Sequence, residues 1–424
     1  MTECIVESLL SRSFRLRPFS EKREIVEGGR PTPELQGLHT TSKRSATVFS
    51  GLSNRIQNDL IVAVKDVMLK AIKDEVMRSP FVAISLDETS DVKTLSQLTT
   101  IVRYVHPNGK AVEHFLGFTD VSKDRTAARL KQEVGKTLNE YGCGEKLIAQ
   151  TYDGASVMSG ELSGLQTRVR EDYPHALFIH CCGHALNLVI VQAVSSTKEC
   201  RIFFKTVTGL SSFFNASSNR TYLLDTVVGR RIPTGTAVRW HYQSRLIHAV
   251  LETRAKLLEV FEYIIENDDE FDGTTFNEAR GYRQVLAAFQ FVFCLKIFSE
   301  IFGLTDVLYN IIQSKQFDIV RGGSRLKSKP VFDMISKIIE LDLKAYFPEV
   351  YRLCQLILTM PSTSSSAERS FSSLKRIKTY LRSAQGQERL SALATILIEK
   401  EMFVCLQGKP QFYEEGYKGV LRKG

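Results

Sequence analysis

The stretch FVAISLDE, residues 81–88, decides the fold class. Its apolar run ends at Asp87 and Glu88, a pattern typical of a buried strand whose end reaches solvent. Two more strands are predicted in the following SQLTTIVRYVHPNGKAVEHFLGFTDV, where Asn108-Gly109 is a dipeptide that strongly favours a tight hairpin turn. The chain therefore opens its folded part with three strands, of which the second and third form a hairpin.

After the hairpin, helices and strands alternate. The sequence predicts in order a helix, a strand, a helix, a strand and a helix, over 126–142, 146–153, 162–173, 176–182 and 184–194. The resulting order β-β-β-α-β-α-β-α predicts an α/β fold, a mixed sheet with helices packed on its faces. Another helix is expected to begin after Ser53 or Asn54 and to precede the first strand.

Strand signals are absent from about 200 to 355, where apolar residues recur at helical spacing. The predicted organisation is a flexible arm, the first part of an α/β core, an all-helical insertion, a C-terminal helical segment that closes the core, and a tail. Their boundaries are 1–55, 56–198, 199–355, 356–410 and 411–424.

Composition bounds the class of protein. The chain has 424 residues, is 43% hydrophobic and 24% charged, and carries a net charge of +9, values typical of globular proteins that tolerate polyanionic partners. Its apolar stretches fall short of the roughly 18 residues that a membrane span requires, and the N-terminus lacks a secretory pattern. Eight cysteines without any CxxC pair favour a reducing compartment and exclude the commonest zinc-finger spacings.

Three acids are candidates for a metal site. Asp87 ends the first strand and Asp153 the fourth, and these strands are neighbours in a sheet ordered 3-2-1-4-5. Two carboxylates and a third acid would hold a pair of Mg²⁺ ions about 4 Å apart, the arrangement used in phosphodiester chemistry. Simpler interpretations stay open: Asp153-Gly154 is also a turn dipeptide, and Glu368 also fits a capping box begun by Ser365.

Several motifs resemble one family. In chain order they are FVAISLDETSDV, GFTDV, AQTYDGASVMSG, HCCGHALNLV, TAVRW and PSTSSSAERSFSSLKRIKTYLRS. Together they are similar to hAT-type (hobo/Activator) transposases, in particular to domesticated vertebrate proteins associated with MYM-type or THAP zinc fingers. The resemblance implies an RNase H-like domain interrupted by a helical insertion, and a C-terminal dimerisation segment over 356–410.

The same resemblance assigns roles to the acids and to one histidine. Asp87, Asp153 and Glu368 match the catalytic, metal-binding acids of the family, which work with Mg²⁺ or Mn²⁺. Cys181 and His184 match its C-x-x-H pair, in which His184 is expected near the active site and able to contact a DNA phosphate. A zinc ion is disfavoured there, because only His175, His180 and Cys200 remain as further ligands.

Two more segments match the family at positions that contact DNA or a second subunit. Arg239-Trp240 is similar to its R-W motif, where an indole supports an extruded base; the alternative for Trp240 is a wedge between domains. The helix from 367 to 382 has an apolar face for packing or dimerisation and a basic face for DNA, although a solvated surface helix is the alternative. The apolar face has Phe371, Leu374, Ile377 and Leu381, and the basic face has Lys375, Lys378 and Arg382.

Departures from the family shape the functional hypotheses. Thr89 follows Asp87-Glu88 where many active members carry a tryptophan, and the insertion is shorter than is usual in the family. Recognition of specific DNA ends is expected to be lost or to be supplied in trans by a zinc finger protein. The first interpretation is a nuclear, transposase-derived protein that self-associates and binds DNA, with weak or lost catalysis. The second is an active Mg²⁺-dependent transposase or nuclease, and the third is an interaction scaffold that binds no nucleic acid.

Overall fold

The computed structural model describes residues 54–195, 197–233, 240–312, 330–379, 385–409 and 412. The predicted arm (1–55) and tail (411–424) therefore lie almost entirely outside the described residues, as do Arg239, Leu381 and Arg382. Trp240 is the first residue of a helix, and its side chain is outside the description as well. The predictions for these positions stay predictions.

The fold is mixed α/β, as predicted. Five strands form one sheet: β1 (Val82–Ser90), β2 (Ser96–Val105), β3 (Ala111–Asp120), β4 (Leu147–Tyr152) and β5 (Leu177–His180). Their order is β3-β2-β1-β4-β5, which confirms the order on which the metal-site hypothesis depends. The pairs β1–β2 and β2–β3 are antiparallel, whereas β1–β4 and β4–β5 are parallel.

The strand sequences explain their places in the sheet. Every residue of β2 is buried, and β1 is buried from Val82 to Leu86, because strands covered on both faces need near-continuous apolar or paired side chains. The hairpin between β2 and β3 turns at Asn108-Gly109, and Gly109 has φ = +82°, a left-handed conformation that glycine adopts without steric cost.

Helices account for most of the remaining described residues. The part of the chain that carries the strands also forms α1 (Asn54–Arg78), α2 (Ala127–Glu140), α3 (Ser156–Ser159), α4 (Leu165–Asp172) and α5 (Cys182–Ser195). The middle of the chain forms α6 (Lys198–Asn215), α7 (Ser218–Val227), α8 (Trp240–Glu266), α9 (Gly273–Ala287) and α10 (Phe289–Ile312). The C-terminal part forms α11 (Pro330–Glu340), α12 (Pro348–Thr359), α13 (Ser365–Ile377), α14 (Gln387–Ile398) and α15 (Lys400–Gln407).

Helices α6 to α10 share a hydrophobic core of their own. Phe203, Leu210, Phe261 and Phe302 are among its buried members, and no strand contributes to it. In contrast, α11 and α12 pack at the end of β2, where Val331, Ile335 and Leu358 surround Val105. The predicted insertion boundary at 355 thus falls within α12, a helix that contacts the sheet.

The chain divides into two compact units, one formed by Ile72–Ala384 and the other by the chain up to Ala71 together with the chain from Gln385 onward. In the second of these, Arg389 of α14 donates a hydrogen bond to Asn58 of α1. Among the described helices, no single one is long and apolar enough to cross a membrane. One bent pair, Gly273–Ala287 with Phe289–Val307, reaches that length and composition only when its two helices are combined.

Candidate functional site

Asp87 lies where β1 begins to emerge from the core. It is half-buried, and its Oδ1 accepts a hydrogen bond from the backbone N–H of Glu88 at 2.9 Å. Glu88 in turn forms an ion pair with Arg125, with 2.6 Å between Oε1 and Nε. The carboxylate of Glu88 is therefore neutralised by an arginine that follows β3 in the chain.

Asp153 directly follows β4 and begins a turn. Its Oδ1 accepts a hydrogen bond from the backbone N–H of Ala155 at 3.2 Å, so the turn interpretation of Asp153-Gly154 is correct in part. In the parallel pairing of β1 with β4, Ser85 is the partner of Thr151. Asp87 and Asp153 each follow that pair by two residues (87 − 85 and 153 − 151), so they occupy neighbouring positions. The prediction that Asp87 ends its strand is wrong, because β1 pairs with β2 as far as Ser90.

Glu368 lies in the first turn of α13 and is half-buried. The predicted capping box is not formed, because the helix begins one residue earlier than it requires. Ser364 is the N-cap, its side chain makes no capping hydrogen bond, and Glu368 is the fourth helical residue rather than the third. The spacing of a capping box therefore does not apply to Glu368.

Asp87 and the helix that bears Glu368 lie on one face of the sheet, as does the end of β4 that precedes Asp153. Thr99 is the partner of Asp87 in β2, so their side chains share a face, and Thr99 Oγ1 lies 3.0 Å from Ser370 Oγ of α13. Thr151 Oγ1 donates to the carbonyl oxygen of Pro361, in the segment that enters α13, at 3.3 Å. The ends of β1 and β4 and the start of α13 therefore meet on this face.

Glu368 lies beside the buried face of α13. It is half-buried and precedes the buried Phe371 by three residues, about 300° around a helix, so it lies roughly 60° from that side chain, on the flank of the buried face. Within the described residues, no group of three or more His, Cys, Asp or Glu side chains is placed so that it could hold a metal ion. Carboxylate oxygens are ligands that Mg²⁺ prefers, but the arrangement of these acids does not support deriving a chemical step through a metal.

Two histidines stand over the Asp153-Gly154 turn. A Cβ atom built on Gly154 would lie 2.9 Å from the Nε2 atoms of both His180 and His184, so a larger residue there would have to displace the tips of the two rings. The ring centroids of these histidines are 5.7 Å apart. His184 was expected near the active site, and it lies over the turn that contains Asp153. Sequence reasoning gave His180 no role beyond that of a candidate zinc ligand.

The pKa of His180 is lowered from its ordinary value. Burial lowers the pKa of His180, a positive charge on His184 lowers it further, and the carboxylate of Asp153 acts in the opposite direction. The nearby Cys181 is buried, and its Sγ accepts a hydrogen bond from the backbone N–H of Ser364 at 3.4 Å. Cys181 is thus a core residue, one that also ties β5 to the segment before α13.

The predicted basic face of α13 is only partly correct. Lys375 is exposed and lies seven residues after Glu368, which is two helical turns along the same flank. Lys378 is 2% exposed and forms an ion pair with the buried Asp91, so its ammonium group is not available to DNA. The physical reason is helical periodicity, since Lys378 lies seven residues after the buried Phe371 and so shares its face.

Two exposed cations of α13 were missed by the sequence prediction. Arg376 is exposed next to Lys375, and Arg369 is exposed next to Glu368, where its Nη1 donates to Ser365 Oγ at 3.1 Å. Arg376 lies eight residues after Glu368 (376 − 368), a spacing that places both on neighbouring sides of a helix, and this spacing could have predicted its position.

The predicted dimerisation face of α13 is also corrected by the structure. Phe371, Leu374 and Ile377 are all buried within this one chain. Since they already pack beneath their own helix, they are not available to a second subunit. The apolar periodicity of α13 therefore reports how the helix is held on the sheet.

Comparison with known protein families is consistent with this architecture. Residues 37–164 match the family model described as the ZMYM1/FAM200 RNase-like domain. Residues 326–402 match the model described as the hAT family C-terminal dimerisation region, which covers α11 to α14. A five-stranded RNase H-like sheet combined with this C-terminal region defines the class: the chain carries domains of the hAT transposase superfamily, and the resemblance seen in its motifs is confirmed.

Two curated relatives share a name. The human protein "52 kDa repressor of the inhibitor of the protein kinase" is 27% identical over 155 residues, which are 36% of this chain and 20% of that protein. Its mouse counterpart is 21% identical over 279 residues, 63% of this chain and 36% of that protein. The chain thus spans about a fifth to a third of the length of these relatives, to which it is similar.

Proposed function

We propose that this protein is a transposase-derived nuclear protein that self-associates and binds DNA, with catalytic activity that is weak or lost. The observation that carries the proposal is the meeting of Asp87, Asp153 and the start of α13 on one face of an RNase H-like sheet. That arrangement is the framework of a DNA-processing site. The name of the relatives describes a repressor, which supports a regulatory role in place of DNA cleavage and agrees with a nuclear location.

DNA binding is supported by charge at the site. The chain has a net charge of +9, and three exposed cations follow the flank of α13 that carries Glu368: Arg369, Lys375 and Arg376. Cations of this kind bind phosphates without reading sequence, and each released counterion makes binding weaker at higher salt. We expect DNA to lie along α13 and across the ends of β1 and β4.

The DNA hypothesis is tested by replacing two of these cations. The double variant Lys375→Gln/Arg376→Gln should bind duplex DNA more weakly, and the slope of log affinity against log salt should fall by about one for each lost phosphate contact. A double variant with two exposed cations of other helices, Lys256→Gln/Lys136→Gln, changes the net charge equally and should retain more affinity. Equal losses in both variants would contradict a site on α13.

Two features support weak or lost catalysis. Thr89 stands where many active members of the family that the motifs resemble carry a tryptophan, and Glu368 lies on the flank of α13. The second candidate function, an active nuclease or transposase, is favoured by the shared face of the acids. Labelled DNA incubated with the protein and Mg²⁺ or Mn²⁺ distinguishes the two. Nicking that Asp153→Asn abolishes would establish the enzyme, and no nicking would agree with the proposal.

Self-association is proposed to use the exposed apolar surface of α11, α12 and their connection. This surface, called here the α11–α12 face, lies inside the matched dimerisation region, whereas the apolar side of α13 is buried. Its exposed side chains are Met334, Leu341, Tyr346, Phe347, Val350 and Leu353. A concentration of exposed apolar side chains in one segment is typical of a site where proteins associate. Sedimentation of the Leu353→Glu variant, which should contain fewer dimers than the wild type, tests the assignment.

A further inference from the structure

Two half-buried cysteines lie on helices that pack against each other, and the proposed function uses neither of them. Cys200 is in the first turn of α6, and Cys294 is in the second turn of α10. Both are free thiols, and 94 residues separate them along the chain (294 − 200). Whether they can react with each other depends on how α6 lies against α10.

Aromatic rings fix the position of α6 on α10. The centroid of the Phe203 ring lies 5.2 Å from that of Phe291 and 5.4 Å from that of Phe298. Phe291 is three residues before Cys294 and Phe298 is four residues after it (294 − 291 and 298 − 294), so these residues share one side of α10. Phe203 therefore lies over the segment of α10 that contains Cys294.

Cys200 belongs to the side of α6 that faces α10. It precedes Phe203 by three residues and Phe204 by four, a spacing that places them on one side of a helix. The ring of Phe204 also contacts α10, with 4.8 Å between its centroid and that of Phe298. Cys294 packs against the hydrophobic core to which Phe203 belongs. Both thiols therefore border the contact between α6 and α10.

The start of α6 also influences the chemistry of Cys294. Burial raises the pKa of this thiol, and negative charge on Cys200 and Glu199 raises it further. Charges more than about 10 Å apart are largely screened from each other in salt solution, so the influence is a short-range one. It agrees with the ring contacts, which bring both thiols to the same border of the two helices.

We propose that Cys200 and Cys294 are a site of reversible oxidation, at which hydrogen peroxide joins the two sulfur atoms in a disulfide between α6 and α10. A disulfide requires Cα atoms about 4.4–6.8 Å apart, whereas the axes of packed helices lie about 8–10 Å apart. Cysteines that border such a contact therefore need only a small shift to be joined. Cys200 lies in the first turn of its helix, and because helix ends fray, that turn supplies the shift.

The reaction takes place in two steps. The Cys200 thiolate attacks one oxygen of the peroxide, the O–O bond breaks, and the departing hydroxide takes up a proton, which leaves a sulfenic acid on Cys200 and one water. The Cys294 thiol then loses its proton and attacks that sulfur, so the S–S bond forms, the S–O bond breaks, and a second water leaves. Two thiols are oxidised by two electrons in total, and one peroxide is reduced to two waters. Cys200 reacts first, because the raised pKa of Cys294 keeps that thiol protonated.

The inference goes beyond the proposed function, because it depends on neither DNA binding nor self-association. The cysteine pattern of the sequence favours a reducing compartment, where disulfides are usually transient and respond to oxidants. A thiol reductant reopens such a bond by thiol–disulfide exchange and restores the two free thiols. The site would therefore be oxidised only while peroxide exceeds the reductant.

Peptide mapping of the whole chain tests the inference without any substitution. Protein treated with a small excess of hydrogen peroxide is alkylated with N-ethylmaleimide and digested without reduction. We expect a linked pair of peptides, one with Cys200 and one with Cys294, that is two hydrogen atoms lighter than the two reduced peptides together. Dithiothreitol should separate the pair. Protein in which both cysteines are still alkylated after peroxide, or are linked only to other cysteines, would overturn the proposal.

The unfolding temperature provides a second reading. The bond closes a long loop and restricts the unfolded chain, so peroxide should raise the unfolding temperature of the wild type by a few degrees. Cys294→Ser should show no such rise, and calorimetry compares the two proteins. Equal responses to peroxide would contradict a bond between the helices.

Single variants distinguish the bond from oxidation of isolated thiols. Cys294→Ser should leave Cys200 as a sulfenic acid, which dimedone captures, and Cys200→Ser should abolish the linked peptides. Cys405→Ser removes an exposed cysteine and is the matched control, so it should form as much of the bond as the wild type. Circular dichroism verifies that each variant is folded. A yield that falls in Cys405→Ser, or linked peptides that join two chains on a non-reducing gel, would count against the proposal.

Discussion

At the scale of single residues, Gly154 has the most demanding environment of the candidate site. The turn after β4 brings it beneath His180 and His184, whose Nε2 atoms occupy the space where a side chain would begin. Asp153-Gly154, which the sequence predicts as a turn, is therefore also in contact with two imidazole rings. This crowding depends on contacts among the turn, β5 and α5, so a local sequence pattern cannot predict it.

Gly154→Ala should destabilise the protein by about 1 kcal/mol, at the low end of the cost of overpacking, because the new methyl group displaces the tips of two histidine rings and the exposed His180 can turn into solvent. Gly135→Ala is the matched control, since no atom lies within 4 Å of its Cβ position on α2. There the same substitution should stabilise the helix by about 0.5–1 kcal/mol. Urea unfolding measures both, and equal effects at the two glycines would contradict the crowding at Gly154.

Thiol reactivity is a second prediction at this scale. Burial raises the pKa of Cys143 to about 11, so at pH 8 only about one thiol in a thousand is the reactive thiolate. Cys405 is exposed. Iodoacetamide should therefore modify Cys405 well before Cys143 in the folded protein, and both at similar rates in urea. Peptide mass spectrometry reads the result, and similar rates in the folded state would contradict the burial of Cys143.

At the scale of secondary structure, α13 illustrates how one helix combines anchoring and exposure. Its apolar side packs on the sheet, and Lys378 at its C-terminal end pairs with Asp91 of the turn between β1 and β2. A groove of about 260 Å³ lies beside this pair, lined by Thr89, Val92 and Lys375 among others. The exposed flank of α13 thus borders the side of the helix that packs on the sheet.

Lys378→Ala should lower the free energy of unfolding by about 3–5 kcal/mol, because it leaves the carboxylate of Asp91 buried without its partner. Lys375→Ala, three residues earlier on the exposed flank, should change stability by less than about 0.5 kcal/mol while weakening DNA binding. Chemical denaturation and a DNA titration separate the roles. A Lys378→Ala protein as stable as the wild type would show that the pair is unimportant.

At the scale of the whole molecule, folding and association are expected to use different apolar residues. Leu374 of α13 is buried beneath its helix, whereas Leu353 of α12 is exposed on the α11–α12 face. Both lie in the matched dimerisation region. A family match of this kind locates a function to a segment, and burial decides which side chains of the segment are free to perform it.

Leu374→Ala should therefore destabilise the chain by about 2–5 kcal/mol and leave the mass of the folded assembly unchanged. Leu353→Ser should have the reverse effect, with weaker self-association and nearly unchanged stability, because the side chain is already in water before association. Unfolding and sedimentation on the same samples provide both readings. A loss of association in Leu374→Ala at temperatures where it is fully folded would contradict the division.

Local and periodic features of this protein can be predicted from its sequence. The Asn108-Gly109 hairpin, the strand order and the end of β4 before Asp153 follow from patterns within short windows and from the rules of chain connection, whereas β1 continues past Asp87 to Ser90. Its motifs also determined the superfamily, which the family matches confirm.

Only the tertiary structure decided which side of each helix is covered. Lys378 and Phe371 proved to be buried, Arg376 and Leu353 exposed, and His180 a neighbour of Gly154. Helical periodicity states which residues share a face but does not say what lies against it. That depends on contacts between segments far apart in the chain, as between Thr99 and Ser370, which no local pattern encodes.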